Sequence, residues 1–238
     1  MQGTTFEKEL SLMKKKIQSP LFVVGIDEAG RGPLCGPVVA GAVCYKRSDF
    51  FIPPELEKKF AFIRDSKKLS PKKREAMFDF IQEHFYVGVG IVSAETIDRV
   101  NILQATFLAM KSAVSRLMNN FPREAKERSY LLIDGNQEIP NFSYPQEAVI
   151  GGDGIVKSIA AASIIAKVTR DRIIEAYDTE YPGYGFAQHK GYGTKIHMDA
   201  LRHLGPCPIH RMSFRPVLLA LPENVNKRFA NVLKPRKK

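Results

Sequence analysis

The sequence lacks the long apolar segments that membrane proteins carry. In its 238 residues, no run approaches the roughly 18 consecutive apolar residues that a membrane-spanning helix needs. The first residues, MQGTTFEKELSLMKKK, also lack the apolar stretch of a secretory signal peptide. We therefore expect no membrane partner and a cytoplasmic location.

Cysteine is scarce as well. The three cysteines, Cys35, Cys44 and Cys207, are an odd number without paired spacing. This excludes a disulfide-stabilised scaffold and suggests a reducing compartment. Because 44% of the residues are hydrophobic, the chain can bury a core and is not disordered overall. Secreted and fibrous classes are therefore excluded.

Acidic residues are too few to balance the basic ones. The chain has 36 Lys and Arg against 25 Asp and Glu, a net charge of +11, and its isoelectric point is near 9.6. The basic surplus is concentrated in Glu57–Glu75 and in the C-terminal segment Glu223–Lys238. Lys and Arg displace counterions from phosphates, so a polyanionic partner, nucleic acid first, is favoured.

Apolar periodicity predicts an α/β domain. Phe6, Leu10, Met13 and Ile17 predict an amphipathic helix over residues 1–18, ended by Pro20. Short apolar runs predict strands at Leu21–Asp27, Pro37–Tyr45, Tyr86–Ser93, Tyr130–Asp134 and Ala148–Ile150. Helices are expected at 55–84, 94–118, 155–178 and 194–204. Strands followed by alternating strands and helices favour a mixed sheet flanked by helices, with a small helical C-terminal portion.

These patterns divide the chain into three segments. Residues 1–20 form an N-terminal helical extension, residues 21–222 one α/β domain, and residues 223–238 a basic tail that we expect to be flexible. Between the first two strands, Glu28–Gly36 is rich in glycine and predicts a tight turn with an exposed backbone.

Carboxylates stand at the ends of three apolar strands. The first strand ends in Asp27 and Glu28, another ends in Asp134, and AVIGGD ends in Asp153. A carboxylate at a buried strand end is costly unless a positive charge lies opposite. Any one of these acids alone is better explained as a cap or a surface ion pair. Together in a basic protein they favour a site for divalent cations, and oxygen-only ligands prefer Mg²⁺ or Mn²⁺ to zinc.

Adjacent residues on a regular strand point to opposite faces of the sheet. Asp27 and Glu28 are adjacent, so we expect the following glycines to distort the strand end if both carboxylates reach one metal pair.

Six segments, in order, resemble the ribonuclease HII family, the type 2 ribonucleases H. They are GIDEAGRGPLCGPVVAGAV at 25–43, DSKKLS at 65–70, LLIDGN at 131–136, GGD…SIAAASIIAKVTRD at 151–171, YPGYGF…HKGYGT at 181–194 and PIHRMSF at 208–214. The type HIII enzymes resemble the sequence less, because they carry a substantial N-terminal domain and a different glycine pattern after the first acids. The resemblance implies a ribonuclease-H-like α/β fold with a helical C-terminal extension, in agreement with the periodicity.

The resemblance also implies a catalytic and metal-binding set. The family's four metal-binding acids fall on Asp27, Glu28, Asp134 and Asp153. They imply two Mg²⁺ or Mn²⁺ ions and hydrolysis that leaves a 3′-hydroxyl and a 5′-phosphate. The implied enzyme is a monomeric endoribonuclease acting on RNA–DNA hybrids.

Substrate-binding residues follow from the same resemblance. Gly30-Arg31-Gly32 matches the element that reads the ribose 2′-hydroxyl, and Tyr192 matches the tyrosine that packs on the following deoxynucleotide. Together they imply incision on the 5′ side of single ribonucleotides in duplex DNA. Taken without the resemblance, the glycines could serve turn geometry alone and Tyr192 could be a core residue. Lys67, Ser163 and Lys167 are expected to contact phosphates.

Two further groups of residues favour structural roles. The group His197, His203, Cys207 and His210 has no compact zinc spacing, so we expect a structural role. Asp171 is expected to form an ion pair with Lys167 or Arg170.

Two other functions stay open at this point. A non-catalytic hybrid-binding module would use the basic surface alone, although the full set of acids argues against it. A metal-dependent DNA nuclease on a similar fold would not distinguish substrates that differ by one 2′-hydroxyl.

Overall fold

The computed structural model describes residues 3–15, 22–47 and 49–221. The predicted basic tail at 223–238 and the predicted boundary between residues 20 and 21 lie outside the described residues. Among the helices of these described ranges, none is long and apolar enough to cross a membrane.

The described strands and helices follow one another in the mixed order expected of an α/β protein. The strands are β1 (Phe22–Ala29), β2 (Val38–Tyr45), β3 (Phe85–Val92), β4 (Ser129–Asp134) and β5 (Gln146–Val149). The helices are α1 (Glu7–Lys15), α2 (Glu57–Phe60), α3 (Pro71–His84), α4 (Ala94–Val100), α5 (Ile102–Asn119), α6 (Arg123–Lys126), α7 (Lys157–Glu180), α8 (Phe186–His189), α9 (Lys195–Leu204) and α10 (Arg215–Leu219).

The five strands form one sheet in the order β3-β2-β1-β4-β5. Strand β1 is antiparallel to β2 and parallel to β4, and β4 is parallel to β5. The predicted mixed sheet flanked by helices is therefore confirmed. The parallel part of the sheet brings the carboxyl ends of β1 and β4 to the same edge.

Two predicted helices are interrupted where the sequence supplies caps. The segment 55–84 contains α2 and α3, because Ser70 accepts a hydrogen bond from the Lys73 N–H and caps α3, whose first residue is Pro71. The segment 94–118 divides at Asn101, which has φ 69° and whose side chain accepts from the Gln104 N–H. In both cases a local polar cap begins a new helix inside a segment that apolar periodicity alone would make one continuous helix.

The chain divides into two compact units. The first, called here the sheet unit, comprises the described residues within 1–29, 39–91 and 106–169. The second, called the C-terminal unit, comprises residues 30–38, 92–105 and 170–221. The four candidate metal-binding acids belong to the sheet unit, whereas Gly30–Gly32 and Tyr192 belong to the C-terminal unit.

In the sheet unit, α7 packs closely on the sheet because small residues meet there. A methyl group added at Gly25 would overlap the backbone of Ser158, and one at Gly41 would lie 2.6 Å from the carbonyl oxygen of Ala162. Residues Ala160, Ala161 and Ala162 are completely buried. This close approach fixes the face of α7 that carries Ser163 against the sheet.

In the C-terminal unit, a small apolar core surrounds the segment that follows β1. Cys35, Ile174, Tyr184, Phe186 and Ile209 form one buried cluster. Leu34, Leu201 and Val217 form another. Both clusters include a residue of the Gly30–Val38 segment, so this segment is part of the core of its unit.

Candidate active site

The sheet brings three of the four acids together. Strand β1 pairs in parallel with β4 as far as Ile26 and Ile133, and the next residue in each strand is Asp27 and Asp134. Strand β5 leads into a turn of 3₁₀ helix that carries Asp153, whose backbone N–H lies 3.4 Å from Oδ1 of Asp134. The carboxyl ends of β1 and β4 and the 3₁₀ turn that follows β5 thus meet at one edge of the sheet.

Asp27 is the most buried of these acids, with only 6% of its surface exposed. Burial raises its pKa well above the usual range, and the charges of Glu28 and Asp134 raise it further. Hydrogen bonds from the Glu28 backbone N–H, at 2.7 Å, and from the Ser163 side chain oppose this rise. A carboxylate in these surroundings is stabilised by a bound cation.

Asp153 shows the same behaviour to a smaller degree. Burial raises its pKa, and the charges of Asp134 and Asp65 add to the rise, while Lys67 and Lys68 oppose it. The acids therefore repel one another in the metal-free protein. A cluster of carboxylate oxygens with mutual repulsion fits the ligand preference of Mg²⁺ or Mn²⁺.

Glu28 occupies a regular strand position. It pairs with Ala40 of β2, and the ladder continues to Ala29 opposite Val39. The ladder is therefore regular as far as Ala29, one residue before the glycines from which the distortion is expected, and that expectation stays a prediction. Its charge still raises the pKa of Asp27.

Lys67 lies beside the acids. It belongs to a 3₁₀ turn, Ser66–Lys68, which is capped by the Asp65 side chain accepting from the Lys67 N–H. Burial opposes the charged amine, but the carboxylates of Asp153, Asp65, Asp27 and Asp134 together raise the pKa of Lys67. The amine is thus a permanent positive charge facing three of the four candidate ligands.

Ser163 lies between the acids and this turn. The side chain is buried, and its hydroxyl lies 2.9 Å from the hydroxyl of Ser66 and donates to Asp27. Lys167 follows one helical turn later on α7 and is half-buried. Ser163 therefore orients a candidate ligand, a contact that its sequence position did not predict.

The C-terminal unit places Tyr192 beside the glycine turn. Gly30 is buried with φ +100°, a conformation that favours glycine, and a methyl group there would overlap the side chain of Arg170. A methyl group on Gly32 would lie 3.8 Å from Cε1 of Tyr192, whose side chain is 47% exposed. Arg31 is exposed. An open glycine backbone and an aromatic ring are thus neighbours.

Two buried arginines shape this turn, and sequence reasoning missed this role for both. Arg211 donates to the carbonyl oxygens of Gly30, Arg31, Pro33 and Gly36. Arg170 donates to those of Cys35, Pro37 and Lys190, at 3.0–3.1 Å. The two guanidinium groups are 1% and 0% exposed, in the order Arg170 and Arg211.

Seven carbonyl dipoles therefore solvate two cations in the core of the C-terminal unit. The one sequence signal for the role of Arg170 and Arg211 is a single arginine within an otherwise apolar or turn-forming segment, AKVTRD or PIHRMSF. This signal is too weak to separate a buried arginine from an exposed one.

The predicted ion pair of Asp171 with Lys167 or Arg170 stays a prediction.

The histidine cluster is buried and includes a cysteine that the spacing did not suggest. Ligand atoms of Cys35, His197 and His210 lie within 4.8 Å of one another. Cys207 contacts His210, with 3.1 Å between Sγ and Nδ1, whereas His203 is exposed and bonds the carbonyl oxygen of Asp199 within its own helix. Three members of the predicted group thus meet in one place, and His203 lies apart.

Comparison with known proteins identifies the family. A profile of the family described as ribonuclease HII matches residues 24–217. The ribonuclease HII of Rhizorhabdus wittichii is 47% identical over 217 residues, which cover 91% of this chain and 96% of that protein. The ribonuclease HII of Geotalea uraniireducens is 53% identical over 82% of this chain and 83% of its own.

A solved structure agrees. The crystal structure of ribonuclease H2 from Pyrococcus horikoshii superposes with a TM-score of 0.62 at 26% identity, covering 88% of this chain and 99% of that one.

The chain belongs to the ribonuclease HII family. It is therefore a metal-dependent nuclease that hydrolyses phosphodiester bonds. The predicted family and the predicted enzyme class are both confirmed.

Proposed function

We propose that this ribonuclease HII hydrolyses the RNA strand of RNA–DNA hybrids and incises duplex DNA on the 5′ side of single embedded ribonucleotides. The observation that carries the proposal is the meeting of Asp27, Asp134 and Asp153 at one edge of the sheet. The products are a 3′-hydroxyl and a 5′-phosphate. The enzyme acts as a monomer in the cytoplasm.

Two Mg²⁺ or Mn²⁺ ions are held by Asp27, Glu28, Asp134 and Asp153 in this proposal. When bound, the ions supply an activated water and stabilise the departing 3′ oxygen. The raised pKa values of Asp27 and Asp153 support this assignment, because burial and mutual repulsion oppose these charges in the protein alone. Glu28 follows Asp27 directly on β1, and its charge raises the pKa of Asp27.

The surrounding polar residues orient the acids and the substrate backbone. Ser163 donates to Asp27 and so fixes the orientation of that carboxylate. Lys67 is exposed and positively charged beside the acids, as expected of a group that neutralises a phosphate. Lys167 is proposed as a further phosphate contact, whereas the one hydroxyl proton of the buried Ser163 is already donated to Asp27.

Recognition of the ribonucleotide is assigned to Gly30, Arg31, Gly32 and Tyr192. Backbone groups at glycines can approach a sugar closely, and among the two nucleic acids only RNA offers a 2′-hydroxyl. An exposed tyrosine ring can pack on the next nucleotide without reading its base. The closeness of the Tyr192 ring to Gly32, where an added methyl group would lie 3.8 Å from Cε1, supports their joint action.

Cleavage of a labelled RNA–DNA hybrid in Mg²⁺, Mn²⁺ or EDTA tests the chemistry. We expect metal-dependent cleavage whose products a polymerase can extend, which shows the 3′-hydroxyl. Asp134→Asn should bind the hybrid without cutting it. Cleavage by purified Asp134→Asn at the normal rate would contradict the metal site, and tight binding without cleavage by the unaltered enzyme would favour a binding module.

A further inference from the structure

Tyr192 combines an exposed ring with a firmly held backbone. Its carbonyl oxygen accepts hydrogen bonds from the Thr194 N–H at 2.8 Å and from Nδ1 of His197 at 3.0 Å. It lies between Gly191, with φ +83°, and Gly193. Glycines leave a backbone free to adopt many conformations, so a hydrogen bond from the side chain of His197, on the following helix, helps to fix the conformation at Tyr192.

The hydrogen bonds around His197 determine where each proton lies. A carbonyl oxygen can only accept, so Nδ1 of His197 carries a proton and donates to Tyr192. Nε2 of neutral His197 then accepts, and it lies 3.0 Å from Nε2 of His210, which must donate. Nδ1 of His210 is left as an acceptor, and it faces the Cys207 backbone N–H at 2.9 Å.

This assignment forms a continuous relay from Cys207 through His210 and His197 to Tyr192. Each ring nitrogen has a partner of the matching kind, and neither ring is charged. The Cys207 carbonyl oxygen also lies 3.2 Å from Nδ1 of His210, and it accepts from the backbone N–H of His210 at 2.9 Å. Burial lowers the pKa of His197 to about 4 and that of His210 to about 4, which agrees with two neutral rings. The relay therefore persists at neutral pH.

His189 adds a second point of attachment beside the relay. Its ring stacks on that of His197, with 4.4 Å between centroids. Nδ1 of His189 accepts from the Gly191 N–H at 3.1 Å, and Nε2 lies 2.9 Å from the carbonyl oxygen of Tyr184. Two stacked histidines thus hold the backbone on the N-terminal side of Tyr192 and at Tyr192 itself.

A transition-metal site is the competing explanation for Cys35, His197 and His210. It would require Nε2 of His210 to lose its proton and Nδ1 to carry one, which would exchange the contact with the Cys207 N–H at 2.9 Å for a longer one with the Cys207 carbonyl oxygen at 3.2 Å. It would also require a thiolate, whereas burial raises the pKa of the Cys35 thiol to about 12. The hydrogen-bonded arrangement needs neither change.

We propose that His197 and His210 are positioning residues that hold Tyr192 in place for recognition of the RNA–DNA junction. The inference rests on the proposed role of Tyr192 in substrate binding. The two histidines do not touch substrate and act through the backbone of Tyr192. Their substitution should therefore lower activity on substrates that require junction recognition.

Paired substitutions at His197 separate this role from simple packing. The asparagine amide can take the place of Nδ1 and donate to Tyr192, whereas the glutamine amide takes the place of Nε2 and reaches His210 only. We expect His197→Asn to keep kcat/KM on a duplex with one ribonucleotide near the unaltered value. His197→Gln should lower it about fivefold, mainly through KM, which is the effect of one lost hydrogen bond.

At His210 we expect the glutamine variant to be more active than the asparagine variant, the reverse of the order at His197. This second pair provides the test if a His197 variant does not fold. His210→Gln retains a donor toward His197, so it should exceed His210→Asn in kcat/KM on the same duplex. A role in packing alone would not favour asparagine at one position and glutamine at the other. Equal values within both pairs would overturn the inference.

Tyr192→Ala separates failure of the inference from failure of the proposed function. If Tyr192→Ala lowers kcat/KM and His197→Gln has no further effect in that background, the relay acts through Tyr192. If Tyr192→Ala lowers it and the His197 pair is equal, only the inference is wrong. If Tyr192→Ala matches the unaltered enzyme, the proposed role of Tyr192 is wrong and the inference falls with it. One equivalent of zinc in the purified protein would also overturn the relay.

Discussion

The guanidinium of Arg211 donates a hydrogen bond to the carbonyl oxygen of Gly30, the first residue of the glycine turn. The same group bonds Arg31, Pro33 and Gly36, so one buried side chain fixes the path of the segment that leaves the first strand. Burial, and then the charge of Arg170, lowers the pKa of Arg211 to about 9. The turn therefore depends on a cation that lies far from it in the sequence.

Arg211→Lys should destabilise the protein although it keeps the positive charge. An ammonium group cannot reach four carbonyl oxygens in the geometry of a guanidinium. We expect the free energy of unfolding to fall by about 2–4 kcal/mol, since buried acceptors lose their donors. Denaturant titration measures this change. Arg202→Lys is the control, because Arg202 is exposed and pairs with Asp199; its change should stay within about 0.5 kcal/mol. Equal effects at both positions would contradict the role of Arg211.

Asp27→Asn should separate stability from activity. The substitution removes a buried charge that Glu28 and Asp134 oppose, so the metal-free protein should melt at a higher temperature. Cleavage of a hybrid in Mg²⁺ should fall at least about a thousandfold, which is about 4 kcal/mol of transition-state stabilisation. Thermal melting in EDTA and initial rates in Mg²⁺ measure the two effects. A lower melting temperature would show that repulsion does not dominate this cluster.

Lys67→Ala should weaken binding of an RNA–DNA hybrid, because the side chain is an exposed cation beside the acids. If it contacts one phosphate, the slope of log affinity against log salt should decrease by about one. Binding in EDTA at several salt concentrations measures the slope. Lys58→Ala, an exposed lysine on α2, is the matched control. The assignment fails if both variants change the slope equally.

Stability should depend on pH through the histidine relay. The pKa values of His197 and His210 in the folded protein are about 4, below the ordinary value of 6.5. Between these values the unfolded chain binds more protons, so stability should be greatest above pH 6.5 and should fall as the pH decreases toward 4. Denaturant titrations across this range measure the slope. His210→Gln should reduce it, whereas the exposed His203→Gln should not, and a slope unchanged by His210→Gln would refute this account.

Glu9 joins the N-terminal helix to the start of α7. Its Oε1 accepts from the backbone N–H and the hydroxyl of Ser158, at 3.0 and 2.9 Å. Glu9→Ala should lower the free energy of unfolding by about 1–2 kcal/mol, as loss of a helix cap does. Glu9→Gln keeps an accepting oxygen and should lose less.

The pH dependence at Glu9 has the opposite sign to that of the histidines. Burial raises the pKa of Glu9, so its contribution should decrease as the pH rises from the ordinary value of 4.5 through the raised one. Glu9→Gln should remove that dependence. If Glu9→Ala were as stable as the unaltered chain, the N-terminal helix would not contribute through this contact.

The positions of Asp27 and Asp134 in their strands could be predicted from the sequence because the signal for a strand is local. Apolar runs that end in Asp27 and Asp134 define both the strands and their ends, and parallel pairing places strand ends at one edge. The interruption of the predicted helix at 55–84 is also encoded locally, in Ser70 and Pro71, but apolar periodicity outweighs it when the pattern is interpreted.

The buried arginines and the relay are not predictable in this way. Arg211 donates to carbonyl oxygens of residues that lie 175 to 181 positions earlier in the chain. Every residue has a backbone carbonyl, so the sequence does not indicate which carbonyls will accept. Cys35 joins His197 and His210 through a bridge between Cys35 and His210 that periodicity cannot show. Such contacts are set by the tertiary packing of the C-terminal unit.

One measurement tests the central claim most directly: incision of a labelled DNA duplex that carries a single ribonucleotide, beside the same duplex made only of DNA, in Mg²⁺, Mn²⁺ or EDTA. The account predicts metal-dependent incision on the 5′ side of the ribonucleotide and an intact all-DNA duplex. Incision of both duplexes would indicate a DNA nuclease. Cleavage of a long RNA–DNA hybrid, with the single-ribonucleotide duplex left intact, would contradict the junction-reading role of Gly30, Gly32 and Tyr192.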